Sequence, residues 1–235
     1  MLKNKFGILT VILSLIIVVG IGLFFYNQYT IFGRKTSEQN YIKEISTLKI
    51  VDPEGLGKDQ EKFKSNFNQQ AQGFLADNGK TSASYWPLIS LGALKQQVGD
   101  YAGAEQAWLL AAQLQPKAYP PYGNLGYLYF HYLKDYARAE TAFLKALEND
   151  PAQIQYYAEL RQLYQYFYKK DQNLAETIVL KGLENNKDNL GLLEELVTYY
   201  KDTNNFDKAI QTCQRVLKIN PKDQFAIQTL KELQP

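Results

Sequence analysis

Between Tyr101 and Pro221 the chain returns four times to one pattern of small and bulky residues. Tyr101, Ala104, Ala107, Trp108, Ala111, Ala112, Leu114 and Pro116 set it out, and Tyr136, Ala139, Ala142, Phe143, Ala146, Leu147 and Pro151 repeat it 35 residues later. Ala175, Val179, Gly182 and Leu183 make a thinner third copy, and Phe206, Ala209, Cys213, Val216, Leu217 and Pro221 a fourth. A period of about 34 residues dictates a stacked architecture, because a unit this short cannot bury its apolar faces alone and must lean on its neighbours.

Each copy reads as the second helix of a pair. The first pair opens with a helix over roughly Tyr85 to Val98, in which Leu88, Leu91 and Gly92 face its partner and Gly99 and Asp100 turn the chain. The second opens at Tyr119 or Pro120, since proline suits a first helical turn, and carries Leu125, Gly126 and Tyr129 before Lys134 and Asp135. Tyr157, Leu160 and Tyr164 mark the third first helix, with a turn over Lys170 to Asn173; Leu193, Leu196, Val197 and Tyr200 mark the fourth, with a turn over Thr203 to Asn205. The units are therefore 84–118, 119–153, 154–188 and 189–221. A last helix within 222–235 sets Phe225, Ile227 and Leu230 on one side and charges on the other, the polar-backed cap that such stacks require.

These units resemble tetratricopeptide repeats, whose pattern runs from a bulky residue, a Leu-Gly pair and a Tyr in the first helix to Ala, Phe, Ala and Pro in the second. Leu91, Gly92, Ala104, Trp108, Ala111 and Pro116 match in the first unit, and Leu125, Gly126, Tyr129, Ala139, Phe143, Ala146 and Pro151 in the second. The third departs: Arg161 follows Leu160, Val179 replaces the aromatic, Gly182 an alanine and Lys187 the proline. Leu196, Val197, Tyr200, Ala209, Cys213, Val216 and Pro221 fill the fourth. The resemblance implies an all-α solenoid of about four helix pairs plus a capping helix, and a concave groove lined by the first helices.

Ahead of the repeats, Phe6 to Tyr26 is a stretch of 21 residues without charge. At about 1.5 Å rise per residue it matches the roughly 30 Å apolar core of a bilayer, and Phe24, Phe25, Tyr26 and Tyr29 fall where an interfacial aromatic belt would lie. Gly20 and Gly22 approximate a signal-peptidase site poorly and are followed by more apolar residues, which favours a retained single-pass anchor over a cleaved signal. Lys3 and Lys5 in the short leader 1–5 place the amino end in the cytoplasm and the repeats outside it; Arg34 and Lys35 argue for the reverse. The polar linker 27–81 carries two amphipathic segments. Tyr41, Ile45 and Leu48 share a face in Ser37 to Ile50, with Ser37 as a possible cap; Phe63, Phe67, Ala71 and Phe74 share one in Asp59 to Asp77. Their polar faces are not strongly basic, so docking on the first repeat is expected rather than binding to lipid.

Charge and chemistry exclude much else. The chain has 26 basic and 24 acidic residues, and this near-neutral balance lacks the footprint of a nucleic-acid binder. One cysteine rules out an internal disulfide or a thiolate metal cluster. Cys213 stands in the slot of Trp108 and Phe143, as a structural thiol would. His131, the one histidine, has no ligand or triad partner at a recognisable spacing, and Glu194 and Glu195 diverge by about 100° on a helix. With no phosphate loop, dinucleotide fingerprint or serine elbow, neither an enzyme, nor a cofactor, nor a metal, nor a small-molecule substrate is expected.

Tyrosine is the unusual component: of 18, eleven lie between Tyr119 and Tyr168. Tyr129, Tyr157 and Tyr164 occupy core slots. Tyr127, His131, Gln155, Gln162 and Tyr166 fall on the opposite side of their helices, the groove side of similar proteins. There Asn124 matches the family's acidic-tail clamp, but Ile89, Gly123, Ala158 and Glu194 stand where its lysines belong. The expected site is thus a neutral, tyrosine-rich groove of Asn124, Tyr127, His131, Gln155, Gln162 and Tyr166 that takes an extended protein segment. The expected role is a membrane-anchored scaffold for secretion or envelope assembly, with an accessory subunit that positions an envelope enzyme complex as the alternative.

Overall fold

Left-handed residues followed by short polar caps turn the chain within each helix pair. Gly99 (φ 77°), Lys134 (φ 54°), Lys170 (φ 49°) and Asn204 (φ 56°) reverse it, and Asp100, Asp135 and Asp171 then accept backbone N–H groups in the first turn of the next helix. Such caps satisfy donors that a helix start leaves orphaned. The computed structural model describes residues 38–77 and 79–234, and it is all-α, with eleven α-helices and no strand among the described residues.

Helix α1 runs Glu38–Ser46 and α2 runs Gln60–Leu75. The pairs follow: α3 Tyr85–Gln97 with α4 Tyr101–Leu114, α5 Pro120–Tyr127 with α6 Tyr136–Asn149, α7 Ile154–Gln162 with α8 Gln172–Asn185, α9 Leu190–Asp202 with α10 Phe206–Ile219, then α11 Gln224–Leu233. From α2 onward each helix packs on the next, and one core runs unbroken from Ala104 to Ala226. Glu44–Pro235 is one compact unit; of Met1–Lys43 only 38–43, the start of α1, are described. The leader 1–5, the apolar segment 6–26 and Ser37 lie outside the described residues, within which no helix is long and apolar enough to cross a membrane.

Close packing of α3 on α4 and of α5 on α6 depends on glycine. A Cβ on Gly92 would collide with the Trp108 ring, and one on Gly126 with the Phe143 ring. Where the ring is replaced by a smaller side chain the glycine is released: in the third pair Arg161 and Val179 stand at these two repeat positions, and in the fourth Val197 and Cys213. The Cys213 thiol is fully buried and its pKa is pushed up by burial, as befits packing rather than reactivity.

Successive pairs are joined by a recurring clasp. A tyrosine of each new first helix donates its hydroxyl to a glutamate on the previous second helix: Tyr129 to Glu105 (2.8 Å), Tyr164 to Glu140 (2.6 Å) and Tyr200 to Glu176 (2.7 Å). A cation covers each ring and pairs with the same glutamate. Arg138 lies 4.3 Å from the Tyr129 centroid, Lys169 5.5 Å from Tyr164 and Lys208 5.1 Å from Tyr200, with bridges of 2.5, 2.6 and 2.8 Å. Burial would raise the Glu176 carboxyl, but Lys208 and Tyr200 outweigh it and hold the group below its usual range.

In the first pair Lys95 occupies the tyrosine slot and is fully buried. Its ammonium donates to the Glu44 and Thr47 carbonyls (2.9 and 2.7 Å) and to Asp100 (2.8 Å), which uses all three donors, while the Phe67 ring of α2 sits 5.6 Å away. Phe63, Phe67, Ala71 and Phe74 are all buried, and α2 packs along α3. The segment ahead of the repeats therefore covers apolar surface that the first pair would otherwise expose.

Candidate functional site

Repeat spacing determines how the first helices present their outer residues. Leu91 to Leu125 is 34 residues, Leu125 to Leu160 is 35 and Leu160 to Leu196 is 36. The added residues are absorbed as wide π turns, Leu128–Leu133 after α5 and Leu163–Phe167 after α7, whereas α3 and α9 end without one. A π turn re-aims the side chains it carries and is frequent at functional sites. Here the two turns carry His131, Tyr132, Tyr166 and Phe167, all exposed.

Asn124, Tyr127 and His131 come together with Gln96 and Tyr132 around a cleft of about 340 Å³. Tyr127 stacks on His131 with centroids 5.7 Å apart and meets Phe143 and Tyr156 edge-on at 5.4 and 6.0 Å. It is half-buried, part core and part surface. Gln155 is exposed and bonds Gln153 (3.1 Å), Gln162 is half-buried at the end of α7, and Tyr166 is exposed with its hydroxyl on Asp202. None of these three lines the cleft; they stand at the repeat positions of Pro120, Tyr127 and His131, 35 residues on.

Sequence reasoning missed two parts of this face. Trp86 is 65% exposed at the start of α3; its position off the Leu88–Leu91 stripe was a usable signal. The second part is charge. His131 does have a carboxylate partner, Glu159 from the next pair, at 2.8 Å, and no sequence spacing announces a contact made between repeats. Beyond it Arg161 reaches Glu195 (2.7 Å) and Gln165 (2.6 Å), and Gln165 reaches Asp202 (3.5 Å). The groove expected to be neutral is thus aromatic over the first two pairs and rich in carboxylates over the last two. Burial raises the Glu159 carboxyl, and Glu195 adds to the rise in spite of His131; burial likewise raises Glu194, helped by Asp223 and Glu195.

Among the described residues no group of three or more His, Cys, Asp or Glu is placed to hold a metal ion. What this face offers chemically is contact area, hydrogen bonds and charge.

No curated protein matches the chain significantly by sequence. The family model for the tetratricopeptide repeat matches residues 119–153 and 191–223. Among solved structures, a tetratricopeptide repeat protein from Parabacteroides merdae superposes with TM-score 0.56 at 17% identity, over 83% of this chain and 72% of that one. MamA does so with TM-score 0.55 at 17% identity, over 70% and 94%. YrrB, a repeat protein described as having an unusual peptide-binding site, does so with TM-score 0.50 at 16% identity, over 71% and 92%. At these identities the likeness speaks for the fold. Together with the two matched units, it shows that this chain carries tetratricopeptide repeats within an all-helical repeat stack.

Proposed function

We propose that this chain is a tetratricopeptide-repeat scaffold that captures an extended segment of another protein on the face formed by its first helices. The observation that carries this reading is the row of exposed aromatic side chains there: Trp86, Tyr132 and Tyr166 around and beyond the cleft at Asn124, Tyr127 and His131. Aromatic side chains give large contact area at low entropic cost and serve as interface anchors. The peptide site described for YrrB is consistent with such use of this fold. In the same proposal the segment 6–26 holds the scaffold to a membrane as a retained single-pass anchor with the repeats outside the cytoplasm, in support of secretion or envelope assembly.

Trp86 and Tyr166 make the better test pair, because Tyr127 also packs on Phe143 and Tyr156. Proteins that co-purify with the full chain in mild detergent would be identified and their affinity measured. Changing Trp86 and Tyr166 to serine is expected to leave melting unchanged and to weaken capture about thirtyfold. Lys145→Ser with Lys181→Ser on the second helices should have little effect. Loss of capture in the lysine pair with none in the aromatic pair would place the binding surface on the other side.

A further inference from the structure

The first-helix face changes character along the stack. In the first two pairs the side chains that occupy its register are uncharged: Trp86, Ile89, Ala93, Gln96, Asn124 and Tyr127, with His131 at the boundary. In the last two pairs and α11 the same register carries Glu159, Glu194, Glu195, Asp202 and Glu232. Two cations stand among them and both are engaged, Arg161 with Glu195 (2.7 Å) and Lys201 with Glu232 (2.8 Å). This is a surplus of negative charge beside an aromatic cleft, within a chain whose overall balance is close to even. Burial raises the Glu159 carboxyl against the pull of His131 and raises Glu194 as well, and Glu195 adds to both.

Resting on the reading above, we infer that the occupant is an extended protein segment of two-part composition, with aromatic or apolar residues over α3 and α5 and lysine or arginine side chains over α7 and α9. Charge complementarity selects it: an acidic segment would meet like charge along half its length, and a wholly apolar one would strip water from a net negative surface with no charge to offset the cost. A second copy of this chain is a poor fit, because its own face would bring the same carboxylates against them. Helices at 8–10 Å intervals make four first helices span roughly 30 Å, so about ten extended residues cover the face.

The test uses the full chain in detergent and three labelled synthetic peptides of that length. All share a tryptophan-containing apolar half; the other half carries lysine and arginine, glutamine, or glutamate. Fluorescence anisotropy should rank them basic first, glutamine about tenfold weaker, and glutamate weakest. Raising the salt from about 0.05 to 0.5 M should erase most of the difference, as screening shortens the reach of charge. Glu159→Gln with Glu194→Gln, which keeps shape while removing charge, should bring the basic peptide down to the glutamine one without lowering the melting temperature.

Equal binding of basic and glutamine peptides, tighter binding of the glutamate peptide, or no binding of any of them overturns the inference. So does self-association of the chain that the glutamine pair abolishes. If the glutamine peptide binds as well as the basic one and both lose affinity in the Trp86→Ser, Tyr166→Ser variant, the docking face stands and the charge selection falls.

Discussion

Gly126 and Phe143 show what a single residue decides. The ring sits where a Cβ would be, so Gly126→Ala should cost about 1–3 kcal/mol through overpacking, read from urea unfolding. Val197 already occupies the equivalent position in the pair that carries Cys213, and Val197→Ala there leaves a small cavity, with a cost of about 1 kcal/mol and no clash. These pairings are visible in the sequence, as Gly92, Gly126, Trp108 and Phe143 stand at repeat positions. The role of Arg161 is not, because its partners Glu195 and Gln165 are chosen by the fold. A second residue-scale prediction concerns Glu194, whose folded pKa lies above the ordinary value. For a carboxyl shifted this way the folded state tolerates the charge less well than the unfolded state. Stability is therefore lower above the folded pKa and recovers as pH falls through it. Glu194→Gln should accordingly raise the melting temperature at about pH 7, with the gain shrinking as pH falls through the folded pKa and gone by about pH 3, below the unfolded pKa as well.

Among elements, helix existence and most starts were legible: the predicted Tyr85–Val98, Pro120 and Asp59–Asp77 features appear as α3, α5 and α2. The π turns were written in the sequence only as unequal spacing, and a count of 34, 35 and 36 between the leucines does not say where the extra residues will go. The clasps were legible in half. Tyr129, Tyr164 and Tyr200 repeat in register, but the cation arrives from a helix in two cases and from the Lys169 turn in the third. Lys95 gives the sharpest test at this scale. Lys95→Met removes the partner of Asp100, which is itself buried while it caps α4; stranding one half of a buried pair costs about 3–5 kcal/mol. Amides from Glu44 to Val51 should lose hydrogen-exchange protection before the rest of the chain. Unchanged protection there would show that Lys95 does not fasten this segment to the stack.

For the molecule as a whole, stability is shared between neighbours, so Trp108→Ala should cost about 3–5 kcal/mol and loosen α3 and α5 together with α4. Hydrogen exchange across α3 to α6 would map that spread. The proposed anchor is tested separately, by the intact mass of the mature protein and by protease access to a tag at the carboxyl end in intact cells or spheroplasts. A full-length mass and external cleavage are expected.

The clasp also separates interior units of the array from its first and last ones. Its glutamate half occurs in the first three pairs and its tyrosine half in the last three; Ile210 stands at the glutamate position of α10, and Lys95 at the tyrosine position of α3. The Lys95 ammonium is already closed off by the Glu44 and Thr47 carbonyls and the Phe67 ring, and Ile210 has no carboxylate, so neither the first nor the last pair offers an open half of a clasp. Interior units carry both halves and are interchangeable in that sense. A gene duplication confined to 119–153 would lengthen the array without mismatch, whereas duplication of the last unit would join two ends that do not recognise each other.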